Sequence, residues 1–121
     1  MKKILIIEDN ESLRLSLSIA FKAAGFEVAA AEDGNKGLKA ALSEKPSLVL
    51  LDLFLPEMDG YKVLEHLKAD GTTAGVPVVV FSVLSQDGDK AEAKRLGATA
   101  YLVKSELSIQ QVVDKVTAIL G

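Results

Sequence analysis

The sequence predicts an α/β domain, a doubly wound five-stranded parallel sheet with helices on both faces. Three observations carry that prediction. Five short apolar runs alternate with stretches of helical period from one end of the chain to the other. The runs are apolar at nearly every position, as strands covered on both sides must be. The length of 121 residues suits one self-sufficient core, so residues 1–121 read as a single domain.

The elements follow in order. Ile4–Ile7 is the first strand. Asn10 can cap a helix whose apolar stripe is Leu13, Leu17, Ala20, Phe21 and Ala24, and Gly25 stops it. Phe26–Ala30 is the second strand. Asp33 can cap the second helix, with stripe Leu38, Ala41 and Leu42. Leu48–Leu51 is the third strand, and Asp59 can cap the helix of Val63, Leu64 and Leu67. Val76–Phe81 is the fourth strand. Ser85–Leu96 gives the weakest helical signal, because it is short, contains Gly88 and shows little apolar stripe. Gly97 ends it before the fifth strand, Ala98–Val103. Ser108 and Gln111 form a capping box for the last helix, striped by Ile109, Val112, Val113, Val116 and Leu120.

Composition removes several function classes. Hydrophobic residues at 49% and charged residues at 26% exclude a disordered tail. The absence of cysteine excludes disulfides, zinc knuckles, Fe–S clusters and a thiol nucleophile, and fits a cytoplasmic location. A net charge of −3 offers no general attraction to nucleic acid or an anionic membrane. No apolar run approaches the ~18–20 residues of a membrane span. Ile4–Ile7 is too short for the core of a signal peptide.

All strands of an open parallel sheet point their carboxyl ends at one edge, where ligands bind. Glu8 and Asp9 follow the first strand, Asp52 the third, Ser82 ends the fourth and Lys104 follows the fifth. Two carboxylates ~4 Å apart repel by up to about 4 kcal/mol at an effective dielectric of 20, so a cluster of three needs compensation. A divalent cation together with Lys104 balances the charge. Oxygen ligands select a hard ion, Mg²⁺ first and Mn²⁺ as the alternative. Asp52 is then an ionised nucleophile suited to a phosphoryl electrophile. Lys104 would pair with one phosphoryl oxygen and Ser82 with another.

These residues carry a family resemblance. Ile4-Leu5-Ile6-Ile7-Glu8-Asp9, the stretch from Asp52 through Pro56 to Gly60, Val79-Val80-Phe81-Ser82 and Ala98 to Lys104 together resemble a receiver domain of the two-component response-regulator family. The resemblance implies a flavodoxin-like, CheY-like fold with strand order 2-1-3-4-5. It implies a phosphoacceptor switch rather than a conventional enzyme. Asp52 would take phosphate from a phosphohistidine of a sensor kinase or phosphotransfer protein. Asp9, Asp52 and the main-chain carbonyl of Phe54 would hold Mg²⁺, with Glu8 acting through water. Ser82 and Tyr101 would form the switch that alters the face of the fourth helix, fifth strand and fifth helix. Phe54 and Leu84 would border the phosphoryl group and shield it from water. Leu15 and Ile19, off the buried stripe of the first helix, form a candidate docking patch for the phosphodonor.

One departure stands out. The family usually places a cis proline after the lysine, and here Lys104 is followed by Ser105. A cis bond without proline costs about 2.5–4 kcal/mol, so a trans bond is expected, with Lys104 still reaching the acids. A phosphatase would want an acid two residues after its nucleophile, where Phe54 stands. A nucleotide-binding domain would want glycines where Glu8-Asp9-Asn10 stands. His66, the single histidine, reads as a surface residue.

Overall fold

The computed structural model describes residues 1–121. Its elements are β1 (Lys3–Ile7), α1 (Glu11–Ala23), β2 (Glu27–Ala31), α2 (Gly34–Glu44), β3 (Leu48–Leu51), α3 (Gly60–Ala69), β4 (Val78–Ser82), α4 (Asp87–Arg95), β5 (Ala100–Val103) and α5 (Ile109–Leu120). The strands pair in parallel in the order β2-β1-β3-β4-β5, the flavodoxin-like arrangement. No helix is long and apolar enough to cross a membrane.

Side chains alternate across each strand, so one apolar run feeds two cores. Ile4 and Ile6 of β1 join Leu17 and Phe21 of α1 and Val112, Val113 and Val116 of α5 on one face. Leu5 and Ile7 join Ala41 of α2, Val63, Leu64 and Leu67 of α3 and Ala93 of α4 on the other. This explains why the central runs carry no polar position.

The two helix–glycine–strand junctions have one geometry. At the end of α1 the Gly25 and Phe26 amides donate to the Lys22 and Phe21 carbonyls. At the end of α4 the Gly97 and Ala98 amides donate to those of Lys94 and Ala93. This Schellman pattern needs a left-handed residue, and Gly25 and Gly97 supply φ values of 96° and 106°. The apolar contact that accompanies it is Phe21 against Phe26, edge to face at 5.9 Å. The same bonds correct the expected strand starts. The Phe26 and Ala98 amides are committed to helix ends, so β2 begins at Glu27 and β5 at Ala100. The Val76 amide closes a turn onto Thr73 and Pro77 has no amide to give, so β4 begins at Val78 rather than Val76. Asn10, Asp33 and Asp59 cap α1, α2 and α3 as expected, and the Ser108–Gln111 box opens α5. Leu42, expected on the buried stripe of α2, is instead 45% exposed, because the narrow face of this helix is filled by Gly34, Gly37 and Ala41.

Candidate functional site

The register sets the site. Ile7 stands beside Ala31 on one side and Leu51 on the other, so the residues after β1 and β3 emerge side by side. That crevice is the point where a doubly wound sheet reverses direction, and where such folds bind ligands. The Asp52 amide donates to the Ile7 carbonyl and the Glu8 amide to the Ala31 carbonyl, each at 3.0 Å, which carries the ladder one residue past the strands.

Glu8, Asp9 and Asp52 each offer a carboxylate oxygen, and these oxygens lie within 4.8 Å of one another. Glu8 and Asp52 are buried, at 2% and 4% exposure, while Asp9 faces solvent. Lys104 bridges the buried pair, with its ammonium 2.7 Å from Glu8 Oε1 and 3.0 Å from Asp52 Oδ2. The remaining oxygens are also engaged. Asp52 Oδ1 accepts from the Phe54 amide at 3.1 Å, and Glu8 Oε2 from the Asn10 amide at 3.1 Å. The ammonium also lies 5.8 Å from the Phe81 ring centre.

One ammonium cannot fully balance two buried carboxylates. Burial, together with the Asp52 charge, pushes the Glu8 carboxyl up to about 7 despite its bond to Lys104. Burial opposes the charge on Lys104, but Glu8 and Asp52 outweigh it and hold the ammonium above its ordinary value. This donor set of clustered carboxylates with surplus negative charge and one member open to solvent fits a hard divalent cation.

The Lys104–Ser105 bond is trans, since the chain has no cis peptide, and Lys104 turns into a 3-10 segment (Lys104–Glu106) without leaving the acids. Ser82 is fully buried, and its hydroxyl oxygen accepts from the Leu84 amide at 3.3 Å. The half-buried Tyr101 donates to the Leu84 carbonyl at 2.8 Å. Phe54, 56% exposed, lines a cleft of about 320 Å³ with Leu84, Leu53, Leu55, Glu57, Asp59 and Tyr61. Leu15 and Ile19 stand exposed, at 59% and 60%, one turn apart on α1. His66 is exposed on α3, away from the acid cluster.

One contributor was not foreseen. Arg14 donates one guanidinium nitrogen to the Glu8 carbonyl at 2.9 Å and to the Asp9 carbonyl at 3.3 Å, fixing the turn that presents both acids. Its signal was a cation near the start of a helix, where the dipole disfavours one. At Gly60, which closes the motif begun by Asp52, a Cβ would come 2.4 Å from Leu53 Cα and 2.7 Å from the Asp52 carbonyl oxygen. Between them the chain folds tightly, with Glu57 at φ 68° and the Met58 amide bonded back to the Pro56 carbonyl.

A flavodoxin-like domain whose switch-point crevice holds three acids, the buried two bridged by a lysine, defines a class, the CheY-like domains. A chemotaxis protein of Vibrio cholerae, CheY4, superposes with a TM-score of 0.91 over 98% of both chains at 25% identity. Residues 4–117 match the response regulator receiver domain, and the chain belongs to that family. It is 38% identical over 120 residues to the DNA-binding dual master transcriptional regulator RpaA of Synechocystis, covering 99% of this chain and 49% of that protein. It is 35% identical to protein PilH of Pseudomonas aeruginosa, covering 86% of each. The phosphorylated phytochrome response regulator RcpA of a cyanobacterium superposes with a TM-score of 0.82 at 32% identity, over 98% of this chain and 90% of that one. The chain spans about half the length of several curated relatives, RpaA among them.

Proposed function

We propose that this receiver domain of a two-component system takes a phosphoryl group onto Asp52 from a phosphohistidine on a sensor kinase or phosphotransfer protein. The observation that carries the reading is Lys104 held between Glu8 and Asp52, with Asp9 open beside them. An Asp52 carboxylate oxygen attacks phosphorus, the P–N bond to imidazole breaks, and the imidazole departs with its electron pair. Asp9, Asp52 and the Phe54 main-chain carbonyl would hold Mg²⁺, with Glu8 assisting through water. When bound, the ion neutralises charge between the acids and the incoming phosphoryl oxygens.

Lys104, 3.0 Å from Asp52 Oδ2, exchanges that oxygen for a phosphoryl oxygen. The Ser82 hydroxyl serves a second oxygen by giving up the Leu84 amide. That exchange disturbs the segment Tyr101 also holds, and so reaches the face of α4, β5 and α5, which meets the output partner. Phosphorylation acts by shifting the balance between two packings of this face. Phe54 and Leu84 restrict water and lengthen the life of the acyl phosphate. Leu15 and Ile19 dock the phosphodonor in the cytoplasm.

The test is incubation with acetyl phosphate and Mg²⁺, read by intact mass. The wild-type chain gains one phosphoryl group and the Asp52→Asn chain gains none. Undiminished labelling of the variant overturns the assignment.

A further inference from the structure

Helix α4 is attached to the domain unlike any other helix. Ala93 is its single buried residue. Its first turn leans instead on hydrogen bonds. Asp89 Oδ2 accepts from the Gln86 amide at 3.2 Å, and the Asp89 and Lys90 amides close onto the Gln86 carbonyl. What ties this turn to the body is Tyr61, at the start of α3. Its hydroxyl approaches the Asp89 main-chain carbonyl at 3.3 Å and Asp89 Oδ1 at 3.5 Å, a forked donor spanning 28 positions of sequence. Burial, with the Asp89 charge beside it, pushes the Tyr61 phenol up to about 12, so the hydroxyl keeps its proton.

The other end of the same segment is also held by a tyrosine, since Tyr101 donates to the Leu84 carbonyl. Leu84 and Asp89 thus bracket the loop and first helical turn between two phenols reaching in from different elements. Tyr61 also lines the cleft that holds Phe54 and Leu84, beside the Asp52 loop.

We propose that Tyr61 is a positioning residue of the switch, a second tyrosine whose hydroxyl fixes where α4 begins and couples that start to the loop carrying the phosphoacceptor. Its importance for output rests on the phosphoacceptor reading above, but the tether itself exists without a phosphoryl group and can be measured alone.

The test is amide hydrogen exchange on the unphosphorylated full chain, comparing wild type with Tyr61→Phe, which keeps the ring and its packing. The amides of Asp89 and Lys90 should exchange roughly threefold to tenfold faster in the variant, the range expected for one net hydrogen bond. The Val112 amide in α5 and the thermal midpoint should stay at wild-type values. Unchanged exchange at Asp89 and Lys90 overturns the proposal, as does a uniform acceleration that includes Val112, because that would mark Tyr61 as a general stabiliser. The acetyl phosphate experiment fails or succeeds independently, so loss of one reading does not disguise loss of the other.

Discussion

Helices α4 and α5 precede and follow the same strand, β5, and are secured by opposite means. Helix α5 buries Val112, Val113 and Val116 and opens with a complete capping box, Ser108 and Gln111 each bonding the other's amide. Helix α4 buries Ala93 alone, and of the corresponding box only the Asp89 side chain's bond to the Gln86 amide has hydrogen-bond geometry. Pulling three buried valines away from the core forfeits apolar burial with nothing to replace it. Hydrogen bonds can be exchanged for others at little net cost. The difference therefore separates an anchor from an element that can take a second position, and it lies next to the residues proposed to sense phosphate.

The largest effect should come from the anchor. Val116→Ala removes two buried methyls and leaves a void, and should lower global stability by about 2–3 kcal/mol. Urea denaturation should show an earlier midpoint with an unchanged slope. A loss well under ~1 kcal/mol would show that α5 is no more firmly held than α4.

A smaller effect separates the two helix starts. Ser108→Ala should cost about 1 kcal/mol of global stability. Asp89→Ala should leave the denaturation midpoint nearly unmoved while the first turn of α4 loses exchange protection, because that turn opens below the global transition. Equal shifts in the global midpoint would erase the distinction.

The smallest effect is read in alkaline titration. The chain has two tyrosines, the pair that holds the α4 segment. Burial raises both phenols above 10.0, Tyr61 to about 12. The neutral form is thus favoured by folding. The stability this supplies is intact below the unfolded value of 10.0 and is lost as pH rises through the folded values. Tyrosinate absorbance should stay low at pH 10, and Tyr61→Phe should remove the later component. A normal titration near pH 10 would mean the phenols are not held as described.

Much of this was legible from residue patterns. Apolar runs of strand length, capping residues and Gly25 and Gly97 marked the alternation, because each reflects a local rule. The acids and the lysine were found because a parallel sheet sends every strand end to one edge. Strand starts were less legible, since Phe26 and Ala98 look like strand residues but spend their amides closing helices. Leu42 misled because its spacing fits a stripe that small residues had already filled. Tyr61 was invisible because its partner lies on a distant helix, and Arg14 left only the mark of a cation near a helix start, because its partners are main-chain carbonyls. The sharing of Lys104 between Glu8 and Asp52 joins residues from three strand ends, and only the assembled sheet shows it.

Gly60 has a consequence of another kind. The space a methyl group would need is taken by Leu53 Cα and by the carbonyl oxygens of Asp52 and Leu53, none of which can swing aside like a side-chain tip. A residue with no chemistry thus acts as a gauge on where Asp52, the proposed phosphoacceptor, stands. In a saturation library selected for signalling, position 60 should tolerate as few replacements as Asp52 does. Selected for folding alone, the two positions should part company. Substitutions at Asp52 would survive there, and those at Gly60 would still be lost.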